Sequence, residues 1–205
     1  MIDLNSFTKE WKEYFPDVSG LPWKIVEKIQ AIVTHAVSNL GDEYEVRDGA
    51  AIHRSAIIEE GVIIKGPVII SPGCFVGAHA YLRGGVFLGN DTSVGPGCEV
   101  KSSFILGKSA LAHFNFVGDS IVGSDVNLEA GVVVANHYNE REIKTIEVVV
   151  AGTRTATGVI KFGSLIGDHS RIGANAVLSP GTMLEPRSIV GRLALVDQVW
   201  GVGDR

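Results

Sequence analysis

A bulky aliphatic residue recurs every six positions, at Ile52, Ile58, Ile64, Ile70, Val76, Leu82, Leu88, Val94, Val100 and Leu106. Four residues after each stands a smaller or apolar one: Ala56, Val62, Val68, Cys74, Ala80, Val86, Thr92, Cys98, Phe104 and Ala110. A fixed short period marks a repeat architecture, in which each unit buries its apolar face only by stacking on its neighbours. Six residues supply one strand and one turn, and three such units close a triangular coil. Residues i and i+18 then lie one above the other at the strand spacing of roughly 4.8 Å. The pattern predicts a mainly β protein, a parallel β-helix of hexapeptide repeats with the aliphatic column as its core.

The period breaks twice. It restarts at Phe116, ten residues beyond Leu106, and runs on through Val122, Leu128 and Val134, which predicts an insertion containing LAHF. It is lost again through ANHYNEREIKTIEVVVAGTRTATG and resumes at Ile160, Ile166, Ile172, Leu178, Leu184 and Val190. That excursion predicts an inserted loop near 136–158, and long loops on a regular scaffold are where function tends to sit. Ahead of the repeat, Trp23, Val26, Ile29, Ile32, Val33, Ala36, Val37 and Leu40 follow helical spacing, with Pro22 suited to the first turn and Gly41 to the C-cap. Such an amphipathic helix needs an apolar surface, and the open end of a β-helix offers one. The expected organisation is a helical lead-in and cap over 1–45, the β-helix over 46–191 and a tail over 192–205.

Composition narrows the picture. A hydrophobic content of 45% with 25 glycines suits a folded, turn-rich chain of 205 residues. A net charge of −5 gives no global basic surface, so nucleic acid is not the expected partner. No basic stretch leads into an apolar core at the N-terminus, and no apolar run approaches the roughly 20 residues that span a bilayer. A cytoplasmic protein without membrane partners is expected. Cys74 and Cys98 both fall in the small-residue slot, which reads as core thiols. Asn90-Asp91-Thr92 matches a glycosylation acceptor by chance.

The residue after each aliphatic turns a corner and faces solvent, and it is Gly at 77, 89, 95 and 107. At Lys65, Arg83 and Lys101 it is a cation, and the spacing stacks the three on one corner of successive coils. Two unit charges about 5 Å apart in water repel by roughly 0.8 kcal/mol. A column of three therefore points to an anion-binding strip, with cations merely splayed into solvent as the plainer alternative. Among the histidines, His35, His53, His79 and His169 read as structural or solvated. His113 lies at the first break, shortly beyond Glu99 and Lys101. An imidazole can serve there as general base, with a carboxylate fixing its tautomer.

The stretch AHFNFVGDSIVGSDVNLEAGVVVAN, residues 112–136, resembles the acetyltransferase domain of the bifunctional bacterial enzymes that acetylate glucosamine-1-phosphate and then uridylylate it. It is also similar to the C-terminal domains of related sugar-1-phosphate nucleotidyltransferases. The resemblance covers roughly residues 50–190 and rests on the His, Gly-Asp and Asn-x-x-Ala-Gly elements. It implies a left-handed β-helix, an acetyl-CoA-dependent acyltransferase and a homotrimer with each site between neighbouring helices. The 137–157 loop is implied to reach across. His113 matches the general base and Glu99 the carboxylate near it. Arg83 and Lys101 match residues that hold the sugar phosphate, with Lys65 below them in the same column. Asn127 matches a sugar-contacting asparagine, and Asn136 a residue near the thioester.

The departures are specific. Phe116 stands where the family has a tyrosine against the substrate, and His137 replaces an aromatic beside the acyl donor. Glu142 occupies the place of a lysine, flanked by Arg141 and Lys144. The nucleotidyltransferase domain's glycine-rich loop and catalytic lysine have no counterpart in these residues. Two further readings therefore stand beside the enzyme. One is a non-catalytic sugar-nucleotide-binding or regulatory module. The other is a hexad-type carbonic anhydrase using His79, His113 and His137, which lacks the close histidine pair such metal sites contain.

Overall fold

The structure is a computed structural model and describes residues 2–150 and 152–199. The hexads form a parallel β-helix with three faces. A 7-stranded sheet makes one of them, and a 13-stranded sheet folds around a corner to make the other two. The first face begins at Ala50–His53 and Val68–Ile70 and continues to Ser164–Ile166 and Thr182–Leu184. The second face includes Ile57–Ile58, Ala110–Leu111, Asn127–Leu128 and Ile189–Val190. The third includes Ile63–Lys65, Phe116–Gly118, Val133–Val134 and Leu195–Val196. Strands Tyr81–Leu88 and Glu99–Ile105 bend from the third face onto the first. Their register shifts between Arg83 and Val86, where Gly84 and Gly85 take positive φ.

The interior follows the predicted aliphatic column, with Val76, Leu82, Leu88, Val94 and Val100 fully buried. Cys74 and Cys98 are free thiols in that interior, and burial pushes the Cys74 thiol up to about 11. The first break in the period is not an insertion. Register falls from 18 residues to 17 at Val86↔Ser103 and stays at 17 at Phe104↔Ile121 on the next coil, so two successive corners are each one residue short. The core column runs through Ile105, Leu111, Val117 and Val122, whereas Leu106 packs outside it. Serine hydroxyls close the short corners: Ser103 Oγ donates to Lys101 O at 2.8 Å, and Ser120 Oγ to Gly118 O at 2.7 Å. The same hydroxyls accept from the backbone of the next coil, Ser103 from Ser120 N and Ser120 from Ser164 N. These buried side chains replace backbone partners that a full hexad would supply.

The helical segment does cover an apolar surface, but that surface is the side of the β-helix and not its open end. The expected single helix divides at Lys28. Short helices α1 (Leu4–Phe7) and α2 (Trp11–Tyr14) precede α3 (Pro22–Glu27) and α4 (Ile29–Val37). All four lie over outward side chains of the first face and its edges, forming a second core with Ile69, Phe87, Phe104 and Ile121. Trp11, Phe15, Phe87 and Phe104 interlock there, edge to face at 4.8–5.1 Å for the Trp11–Phe104, Phe15–Phe87 and Phe15–Phe104 pairs. The reason is legible in the strands: a strand buried on both sides reads as a continuous apolar run, as in Val68-Ile69-Ile70.

The second excursion folds as an antiparallel hairpin, Glu147–Val150 with Thr153–Ala156. Its base packs Tyr138, Ile146, Val148 and Phe162 into the same second core, so the loop lies against its own chain. Tyr138 Oη donates to Pro180 O at 2.9 Å, and the Arg141 guanidinium sits 3.5 Å from the Tyr138 ring centroid. Strand Leu195–Val196 pairs in parallel with Val177–Leu178, so the coil continues into the segment expected as a tail, whose residues 200–205 lie outside the described ones. Among the described residues no helix is long and apolar enough to cross a membrane.

Candidate functional site

The third face and its two bounding corners carry most of the residues singled out by sequence. Register stacks Lys65, Arg83 and Lys101 as predicted, with Gly118 next above. Their charges are answered within the chain. Glu99 Oε1 accepts from Arg83 Nε at 2.8 Å and lies 2.6 Å from Nη2. Lys101 Nζ donates to Asp119 Oδ2 at 2.5 Å. The Tyr81 ring packs near the Lys65 and Arg83 heads, 5.2 Å from Lys65 Nζ and 5.5 Å from Arg83 Cζ. The column is thus a pair-bonded corner rather than a bare cationic strip. Among the described residues, Lys65 alone of the three has no carboxylate partner.

Glu99 and Phe116 are in register on the outer side of the third face, one coil apart. His113 stands at the opposite corner, between the second and third faces, where Phe114 takes a positive φ and Gly131 N donates to His113 O at 2.8 Å. Its side chain is exposed, and among the described residues no partner holds the ring. Glu99 is committed to Arg83 instead of His113. A strand of three residues separates the two corners, about 10 Å at the usual rise. The face between them is a shallow bed with an imidazole at one end and two guanidinium or ammonium heads at the other.

Asn136 closes the cationic corner. It is 7% exposed, and its Nδ2 donates to Asp119 Oδ2, the oxygen that also accepts from Lys101. Its Oδ1 faces His137 Nδ1 at 3.3 Å. A Cβ on Gly118 would lie 2.8 Å from Phe116 Cζ and 2.9 Å from Asn136 Cγ, so that glycine lets both side chains close over the backbone. Asp119, the acid of the Gly-Asp element, carries no role in the reading of the sequence. Its signal is the corner series Lys65-Gly66, Arg83-Gly84, Lys101-Ser102 and Gly118-Asp119, where a carboxylate enters one position past the cation column.

Beside this corner, the α3–α4 junction and Lys161 wall a groove of about 800 Å³ whose floor is Arg83, Lys101 and Asp119. Gly85 meets the start of α4 directly, since a Cβ there would lie 3.1 Å from Gln30 N. Asn127 is placed elsewhere. It is exposed on the second face, between Ala110 and Arg171 in register, and cannot reach a ligand on the third face of its own chain. Around Glu142, which is exposed, Arg141 approaches Asp197 at 3.5 Å and Lys144 Nζ donates to Asn139 O at 3.3 Å. Among the described residues no three His, Cys, Asp or Glu side chains are placed to hold a metal, and His79, His113 and His137 form no cluster.

Residues 64–158 match the family model of the GMPPB C-terminal domain, and residues 165–191 that of the hexapeptide repeat of succinyl-transferase. The chain is 32% identical over 201 residues to a bifunctional sugar-1-phosphate nucleotidylyltransferase/acetyltransferase of Sulfurisphaera tokodaii, covering 95% of this chain and 49% of that one. It is 35% identical over 195 residues to the bifunctional protein GlmU of Methanococcus vannielii, covering 92% and 46%. The chain therefore spans about half the length of the curated relatives it matches. Among solved structures, PerB from Caulobacter crescentus in complex with CoA and GDP-perosamine aligns with a TM-score of 0.35 and 19% identity, over 66% of this chain and 51% of that one. The acetyltransferase domain of PglB from Neisseria gonorrhoeae aligns at 0.32 and 15%, over 86% and 60%. The chain is a hexapeptide-repeat protein of the left-handed β-helix class, and it resembles the acetyltransferase part of the bifunctional sugar-1-phosphate nucleotidyltransferase/acetyltransferases.

Proposed function

We propose that this chain is an acetyl-CoA-dependent acyltransferase, cytoplasmic and homotrimeric, whose acceptor is an amino-sugar phosphate or a nucleotide sugar. The observation that carries the reading is the bed on the third face. An acceptor lying along it presents its amine to His113 at one corner and its phosphate to Arg83 and Lys101 at the other. Phe116 and Glu99 line the space between. His113 takes the amine proton as the nitrogen attacks the thioester carbonyl, and the thiolate leaves as the amide forms. Asn136, which the resemblance sets near the thioester, stands beside Lys101 at the cationic corner of its own chain. Similarity over 95% of the chain to a protein named as an acetyltransferase supports the same reading.

The trimer is supported by what the chain leaves uncovered. Phe114, Ile189, Leu193 and Leu195 are 70–84% exposed along the corner that joins the second and third faces. An apolar ridge of that kind marks an interaction surface. If three such ridges meet on an axis, the third face of one copy looks onto the second face of the next. Asn127 of the neighbour then reaches the bed that its own chain denies it. The hairpin, which packs on its own chain, is not needed for this arrangement.

Purified protein incubated with acetyl-CoA and a panel of amino-sugar phosphates and nucleotide sugars, with thiol release followed, tests the proposal. Release with at least one acceptor, abolished by His113→Ala, is the expected result. No release with any acceptor would sink it. A second reading, a binding module without catalysis, draws on the pairing of Arg83 and Lys101 with carboxylates and on Glu142 in place of a lysine. Calorimetry showing sugar-nucleotide binding without affinity for CoA would favour it.

A further inference from the structure

Asp119 has no role among the residues assigned above by resemblance. Several corners of the β-helix carry Asp or Asn at positive φ, among them Asp48, Asp91, Asp125 and Asn175. At those positions the residue serves the turn, since short polar side chains tolerate the left-handed region best. Asp48, Asp91 and Asn175 are exposed, and the Asp125 side chain keeps 45% of its surface. Asp125 Oδ2 also meets two side chains, His169 and Arg171, but both come from one coil and lie in solvent. Asp119 is 8% exposed, and its Oδ2 joins side chains of two different coils, Lys101 Nζ and Asn136 Nδ2.

We propose that Asp119 is a positioning residue that clamps Lys101 and Asn136 to each other, fixing the two heads that face the acceptor's phosphate at the cationic end of the site. The inference rests on the acyltransferase reading for its consequence, and on geometry for its substance. A carboxylate only accepts hydrogen bonds, so Asn136 must turn Nδ2 toward it. Oδ1 is thereby left facing His137 Nδ1, as observed at 3.3 Å. The orientation of the Asn136 amide is thus set by Asp119. The Lys101 side chain, at 16% of its surface exposed, depends on the same carboxylate for its charge partner. Gly118 locks the unit by letting Phe116 and Asn136 pack directly on the backbone between them.

Asp119→Asn is the test, because asparagine has the same shape and accepts positive φ. It removes the charge and the obligate acceptor. Turnover per folded protein is expected to fall on the order of 10- to 100-fold, as a misplacement of about 1 Å costs, with the melting temperature little changed. In a cycle with Asn136→Ala, the two substitutions together should cost no more than either alone. A variant with wild-type turnover, or additive effects, would overturn the clamp. If wild-type protein shows no turnover, the acyltransferase reading fails first, and a second measurement still decides on Asp119. The side-chain amide protons of Asn136 should exchange slowly with solvent in wild type and rapidly in Asp119→Asn. Equal exchange in both would overturn the proposal.

Discussion

The first face of the β-helix and the corner between its second and third faces both carry large apolar side chains outward, yet they meet different fates. Ile69, Phe87, Phe104 and Ile121 on the first face are at most 5% exposed, because α1–α4 and the hairpin lie on them. Phe114, Ile189, Leu193 and Leu195 at the corner stand in water. Apolar surface left in water forgoes about 25 cal/mol per Å². The contrast teaches where the chain is finished and where it is not. Its own N-terminal segment completes one side, and the residues proposed to act sit on the other. Asn127 and His113 fall on different parts of that open side, which is why the proposed site needs a second copy.

Several substitutions break or sharpen this contrast. Phe114→Asp combined with Leu193→Asp should have the largest effect, converting the assembly to monomers by light scattering and reducing thiol release to background. An intact, active trimer would show that the ridge is not an interface. His113→Ala should lower turnover by about 10²- to 10⁴-fold, the usual worth of a general base, with acceptor binding by calorimetry nearly unchanged. Phe104→Ala, beneath the helices, should cost about 3–5 kcal/mol of stability in denaturant titration while leaving turnover per folded trimer intact. Glu99→Gln is expected to do least to stability. Its pair with Arg83 keeps about a third of each side chain exposed, and such pairs contribute about 1 kcal/mol or less. A collapse of stability in that variant would mean the corner is structural.

The interior of this fold was legible because the period of six is a direct record of which side chains point inward. Stacking by 18 placed Lys65, Arg83 and Lys101 in one column, and the register agrees. Leu106 misled, since it is apolar for the sake of the second core, and it turned two shortened corners into an apparent insertion around His113. The position of the helices was misread for a related reason. Runs such as Val86-Phe87-Leu88 carry an outward apolar residue that the six-residue column does not count. The carboxylate partners of the cations were not legible, because Glu99 and Asp119 meet Arg83 and Lys101 across coils and through side-chain geometry. Periodicity says which face a residue occupies, and it is silent on what its head group touches.

The central claim is that each site is built from the third face of one copy and the second face of its neighbour. Co-assembly of His113→Ala chains with Asn127→Ala chains tests it most directly. Each variant alone should be nearly inactive, and random mixing into trimers should restore about a quarter of the sites, since a site is whole only when the intact faces meet. Recovery to about that level is the predicted result. No recovery in trimers shown to contain both chains would contradict the shared site and return the chemistry to a single copy.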